Sequence, residues 1–180
     1  AMCKIIESEG LGLDVVSGGE LYTAIKAGFP MDKVMLHGNN KSYEELEMAI
    51  SNDVGRIVVD NTEELYIIEE IAERQDKSVK VLIRIAPGVG GNTHKYITTG
   101  QKDSKFGVPL AKDTIDEAVA KAMKSKHIEL LGMHFHIGSN LFENDSYIAA
   151  INIVINLYKR LKDDFGFIAK EINTGGGFGI

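Results

Sequence analysis

Two histidines one residue apart, His134 and His136, sit in the stretch Gly132-Met133-His134-Phe135-His136-Ile137-Gly138-Ser139-Asn140. The apolar run Ile128 to Leu131 leads into it, so the stretch reads as the end of a buried strand. Alternation along a strand puts Met133, Phe135 and Ile137 on one face and both imidazoles on the other. An imidazole can ligate a metal, move a proton or lie flat against a planar ring, and a pair of satisfied core histidines has the same spacing. Gly138 permits close approach of backbone to a ligand, and the Ser139 hydroxyl can donate to it. Gly175-Gly176-Gly177, directly after another strand-like segment, can turn successive N–H groups towards an anion; the bland alternative is a tight turn. The run Gly-Gly-Gly-Phe-Gly lacks the spacing of a dinucleotide fingerprint.

Other strand ends carry similar groups. Arg84 lies within the apolar segment Val79 to Ala86, and an inward guanidinium suits a phenolate or a phosphate. Asp14 and Asp60 could join the histidine pair in a metal site of the hydrolytic kind. Such a site has no use for a triple glycine or for Arg84, so the residues favour a phosphate-bearing cofactor, with the metal reading left open. His37, His94 and His127 stand singly and read as polar surface or loop residues.

The elements that must position these groups alternate. A helical pattern opens the chain, and Leu11 to Val16 reads as a strand. Ser17 with Glu20, and Ser42 with Glu45, match capping boxes, and Asn61 or Thr62 caps a third helix. Helical stripes follow each cap: Leu21, Ala24 and Ile25; Leu46, Ala49 and Ile50; Leu65, Ile68, Ile71 and Ala72. Strands are expected at Val34 to Gly38, Arg56 to Asp60 and Val79 to Ala86. Pro87 to Pro109 is a long irregular segment, a length usual for functional loops. A helix over Asp113 to Lys126 (Ile115, Val119, Ala122 and Met123 inside) precedes the histidine strand. A helix over Asp145 to Phe165 and a strand over Ile168 to Thr174 complete the order. Six strand–helix alternations with short connections predict an α/β parallel sheet. The candidate groups lie at the C-terminal ends of all six strands. An open doubly wound sheet would gather them at one switch point, whereas a closed barrel brings every strand end to one mouth. The expected fold is therefore a partial TIM (β/α)8 barrel, about six of eight strands present.

With 44% hydrophobic and 26% charged residues, the 180-residue chain falls in the globular class. Its net charge of −6 and the lack of a basic run argue against a nucleic-acid partner. Its apolar runs are too short for a membrane span. Cys3 is the only cysteine, so no internal disulfide framework is possible, and a reducing, cytoplasmic setting fits.

Five separated stretches carry a resemblance over essentially the whole chain. They are Gly12 to Glu20 (GLDVVSGGE), His37 to Lys41 (HGNNK), Asp103 to Gly107 (DSKFG), His134 to Ser139 (HFHIGS) and Gly175 to Gly179 (GGGFG). Together they resemble the pyridoxal-phosphate-dependent decarboxylases with an alanine-racemase-like barrel, which act on ornithine, diaminopimelate or arginine. HGNNK, and Thr99-Gly100 with Lys105 to Gly107, are more similar to the diaminopimelate branch than to the ornithine branch. The resemblance implies pyridoxal 5'-phosphate as cofactor, with His136 stacked on its ring. It implies that Ser139 and Gly175, Gly176 and Gly177 hold the phosphate, and that Asp14 and Arg84 lie near the ring. His134 is expected behind these residues, and Lys41 and Lys105 are read as surface or structural lysines. It also implies decarboxylation of meso-diaminopimelate to L-lysine, in a homodimer with shared active sites. The family's cofactor-anchoring lysine precedes the first helix, and the acidic partner of the pyridine nitrogen follows the triple glycine. On this reading residues 1–180 are a fragment of the cofactor-binding barrel domain. The first strand, the last strand and a C-terminal β-domain would lie outside it, and the piece by itself is expected to be inactive.

Overall fold

The structure, a computed structural model, describes residues 1–89 and 106–179. His94, Thr99, Gly100, Asp103, Ser104 and Lys105 lie outside the described residues.

The chain runs α1 (Met2–Ser8), β1 (Leu13–Val15), α2 (Gly18–Ala27), a 3-10 turn (Met31–Lys33), β2 (Val34–Leu36), α3 (Tyr43–Ser51), β3 (Arg56–Val59) and α4 (Thr62–Gln75). It continues through β4 (Val79–Ala86), β5 (Val108–Pro109), α5 (Lys112–Lys124), β6 (Ile128–His134), α6 (Asp145–Phe165) and β7 (Glu171–Asn173). One device starts three successive helices, because the first amides of a helix have no partner within it. Ser17 Oγ accepts from Glu20 N–H, Ser42 Oγ from Glu45 N–H and Asn61 Oδ1 from Glu64 N–H. The capping box of α3 is complete, with Glu45 Oε2 accepting from Ser42 N–H at 2.9 Å. At α2 the expected box is modified: Glu20 reaches one residue further back, to Val16 N–H. Glu45 Oε1 instead accepts from Gly18 N–H at 2.6 Å, so one carboxylate ties the starts of two neighbouring helices together.

The strands form one parallel sheet in the order β1-β2-β3-β4-β6-β7, with the short β5 paired beside β4. In a flat sheet β2 and β7, four places apart, would be separated by about 19 Å. Asn173 Nδ2 on β7 lies 3.4 Å from Met35 Sδ on β2, and Arg56 Nε on β3 lies 2.7 Å from Glu171 Oε2 on β7. The sheet therefore curls round a lumen, and it is a partial (β/α)8 barrel with six of eight strands.

Two apolar layers follow. The larger lies between sheet and helices and contains the predicted stripes, with Leu21, Leu46, Leu65, Ile68, Ile71 and Ile115 all fully buried. The smaller fills the lumen with Val58, Leu82 and Leu131, against Met35. Met123 was expected inside but is 41% exposed; the turn of α5 carries it off the buried stripe. Strand edges also differ from expectation, since β1 and β7 retain only three paired residues each.

Candidate functional site

The faces of β6 depend on one irregularity. Val81 pairs with Leu130 and Leu82 with Gly132, so Leu131 is an extra residue in the ladder. An inserted residue reverses the alternation beyond it. Ile128 and Leu130 face the helices before it, and Met133, Phe135 and Ile137 face them after it. His134 and His136 are thereby turned to the lumen side, as their spacing predicts. The Tyr158 hydroxyl of α6 occupies the gap, accepting from Met133 N–H at 2.7 Å and donating to Glu171 C=O at 2.8 Å. Its burial pushes the Tyr158 pKa up to about 12, so the hydroxyl keeps its proton.

Register then assembles a row at the C-terminal ends of the strands. Arg84, His134 and Asn173 are direct neighbours across β4, β6 and β7. Arg84 Nη1 lies 3.2 Å from Asp60 Oδ1, and its guanidinium stacks on Phe106 at 4.8 Å. The second Asp60 oxygen accepts from Gly107 N–H. Arg84, read from sequence as inward, thus has an internal carboxylate partner.

His37 corrects the sequence reading. It is no isolated surface residue: its ring meets His134 edge to face, with centroids 5.0 Å apart, and its Nε2 lies 3.5 Å from Asp14 Oδ1. That distance gives an electrostatic contact but no aligned hydrogen bond, and His37 Nε2 and His134 Nδ1 are buried without a hydrogen-bond partner. The nearby His37 ring holds the Asp14 carboxyl below the usual carboxylate range, against a smaller opposing effect of burial. Burial first, then the charges of His37, Arg84 and His136, lower the His134 pKa to about 3, so its imidazole is neutral near pH 7. The sequence signal for His37 was its place immediately after a strand; a lone histidine with no strand register could not be assigned to a neighbour. His127 sits at the far end of β6, its Nδ1 3.0 Å from Lys77 C=O. Lys41 is structural: with 2% of its side chain exposed, it donates to Gly38 C=O and Val58 C=O and pairs with Glu64 at 2.8 Å.

His136 and Ser139 are exposed beside the glycine loop. Gly175 (φ +67°) and Gly177 (φ +103°) occupy backbone conformations that disfavour side chains, and a methyl group would strike Phe135 C=O at the first and Gly138 C=O at the second. The same two positions flank the His136 ring. Gly176 has open space beside it. Among the described residues, the N–H groups of Gly176 and Gly177 have no hydrogen-bond partner, whereas Gly175 N–H donates to Asn173 Oδ1. An exposed imidazole next to a backbone cradle with free N–H donors fits a planar ring that bears an anionic group. Among the described residues, no group of three His, Cys, Asp or Glu side chains, the Asp14, His37 and His134 row included, has an arrangement that could hold a metal ion. No helix among them is long and apolar enough to cross a membrane.

Known proteins resemble this chain over essentially its whole length. A diaminopimelate decarboxylase of Bacillus subtilis is 48% identical over 180 residues, which cover 100% of this chain and 41% of the relative. The crystal structure of diaminopimelate decarboxylase from M. jannaschii superposes with a TM-score of 0.89 at 35% identity, over 99% of this chain and 41% of that one. The Helicobacter pylori diaminopimelate decarboxylase complexed with L-lysine gives 0.86 at 34% identity, over 99% and 44%. The chain thus spans about two fifths of the length of these relatives. The family model described as "Pyridoxal-dependent decarboxylase, pyridoxal binding domain" matches residues 1–180, so this chain belongs to the pyridoxal-dependent decarboxylases.

Proposed function

We propose that the full-length protein decarboxylates meso-diaminopimelate to L-lysine with pyridoxal 5'-phosphate, as a cytoplasmic homodimer whose active sites are shared. The observation that carries this reading is the exposed His136 ring flanked by Gly175 and Gly177, beside the unpartnered N–H groups of Gly176 and Gly177. The 48% identity to the Bacillus subtilis enzyme supports the choice of substrate.

Bound at this mouth, the cofactor supplies an electron sink for the pair left behind as the carboxylate departs. His136 presents a flat face to the ring. Gly176 and Gly177 N–H and the Ser139 hydroxyl hold the phosphate. Asp14, whose pKa is lowered, keeps a negative charge near neutral pH and would stand near the ring. Arg84 is held by Asp60, which fixes the guanidinium in place near the same ring. His134, neutral and 4% exposed, backs the site without adding charge to it.

The test is His136→Ala in the full-length enzyme. We expect cofactor affinity to fall and carbon dioxide release from meso-diaminopimelate to slow. Wild-type affinity and rate would rule out the stacking role. Ornithine, lysine and arginine assayed alongside distinguish the substrate, since preference for one of them would replace the diaminopimelate assignment.

A further inference from the structure

The glycine loop does not rest on its own backbone. Leu141 N–H donates to Gly177 C=O at 2.9 Å and Gly179 N–H donates to Leu141 C=O at 2.8 Å, which pins the far side of the loop to the segment after Asn140. The near side is held by two side chains, Asn173 Oδ1 accepting from Gly175 N–H at 2.8 Å and a tyrosine beyond it. Tyr147, in the first turn of α6 and 5% exposed, donates its hydroxyl to Gly176 C=O at 3.1 Å. Its ring stacks on Phe178, centroids 4.5 Å apart and planes 14° from parallel.

The Gly176 carbonyl and the Gly177 N–H belong to one peptide unit. A trans peptide is planar, with its C=O and N–H directed oppositely. Drawing the carbonyl towards α6 therefore turns the Gly177 N–H away from α6. A peptide between two glycines is the one most free to rotate as a unit, because neither neighbour has a Cβ to resist. The bonds to Gly175 N–H and Gly177 C=O hold the peptide units on either side, and the Tyr147 hydroxyl is the side-chain partner that acts on this peptide itself.

We propose that Tyr147 is a positioning residue for anion binding: its hydroxyl orients the Gly176–Gly177 peptide so that the Gly177 N–H serves the cofactor's phosphate. The ring stack on Phe178 keeps the tyrosine in place while the hydroxyl selects the peptide orientation. This inference rests on the phosphate-bearing cofactor proposed above.

The experiment compares pyridoxal 5'-phosphate with pyridoxal, which has the same ring and no phosphate, in full-length wild-type protein and Tyr147→Phe. Phenylalanine keeps the stack and removes only the hydroxyl. Affinity for the phosphorylated form should fall about 3- to 10-fold, the effect of misdirecting one hydrogen-bond donor, while affinity for pyridoxal stays within about 2-fold. Because the ratio of the two affinities is taken within each variant, a general loss of stability does not imitate the result. An unchanged ratio, with either both affinities retained or both reduced alike, overturns the role of Tyr147 and leaves the cofactor assignment standing. If wild-type protein binds pyridoxal as tightly as its phosphate ester, the phosphate site itself is wrong and this inference falls with it.

Discussion

Lys41→Met in the full-length protein should reveal how strongly the site's floor depends on one buried ammonium. Lys41 and Glu64 expose 2% and 5% of their side chains, and their contact is 2.8 Å. The ammonium also ties Gly38 C=O to Val58 C=O, joining the ends of β2 and β3, next to His37 and Asp60. Methionine fills similar volume but leaves Glu64 with Asp60 N–H as its remaining donor, its Oε1 being already without a partner. Removing one member of a buried pair costs about 3–5 kcal/mol, because the other charge remains desolvated. The pH dependence gives the more specific signature. Burial already raises the Glu64 pKa above its unfolded value, and Lys41 is the largest opposing influence. In the variant that pKa rises further. The stability linked to such a group is full below the unfolded pKa and is lost as pH rises through the folded one. The deficit should therefore be largest above neutrality and shrink in mild acid. Urea unfolding followed by far-UV circular dichroism, at about pH 5.5 and about pH 8, measures both. Adding Glu64→Leu should restore most of the loss, since it removes the stranded carboxylate. A deficit below about 1 kcal/mol, an equal deficit at both pH values, or no recovery in the double variant would refute the reasoning.

Three further outcomes are expected. His134→Gln should flatten the acid limb of the stability curve: the folded-state pKa of His134 is lowered to about 3, so the unfolded chain takes up protons first as pH falls below its ordinary value, and the wild type loses stability there. Urea midpoints measured across the acid range would show a slope unchanged by the substitution if this is wrong. Tyr158→Phe strands Met133 N–H and Glu171 C=O together, and should cost about 1–3 kcal/mol with faster hydrogen exchange at the Met133 amide; unaltered exchange would contradict it. Asp76 ends α4 at φ 51°, ψ 47°, a conformation glycine adopts without penalty, so Asp76→Gly should stabilise by up to about 1 kcal/mol, read as a higher urea midpoint.

The helix caps, most of the apolar stripes of α2 to α5 and the alternation of strands with helices along the chain were legible in the sequence because they obey local rules. A serine or asparagine three residues before a glutamate, or leucine at helical spacing, needs no knowledge of what lies across the fold. The outward set Met133, Phe135 and Ile137 was legible for the same reason, since alternation holds over any short run. What the residues alone left open was settled by contacts between distant segments. The extra residue at Leu131 is defined only by its pairing with β4, and the hydroxyl that fills the gap comes from α6. His37 carried no local pattern, and its place against His134 and Asp14 arises because the sheet curls until separate strand ends converge. Arg84 was recognisable as an inward cation, but its ion pair with Asp60 depends on the register of β3 against β4. The glycines announced a tight approach without saying to what; Phe135 C=O, Gly138 C=O and the His136 ring became their neighbours through the pairing of β6 with β7. Sequence by itself determined which elements form and which faces they bury, because backbone geometry imposes those periods. Tertiary structure decided which functional groups meet, because parallel register and barrel curvature join residues that no local rule connects.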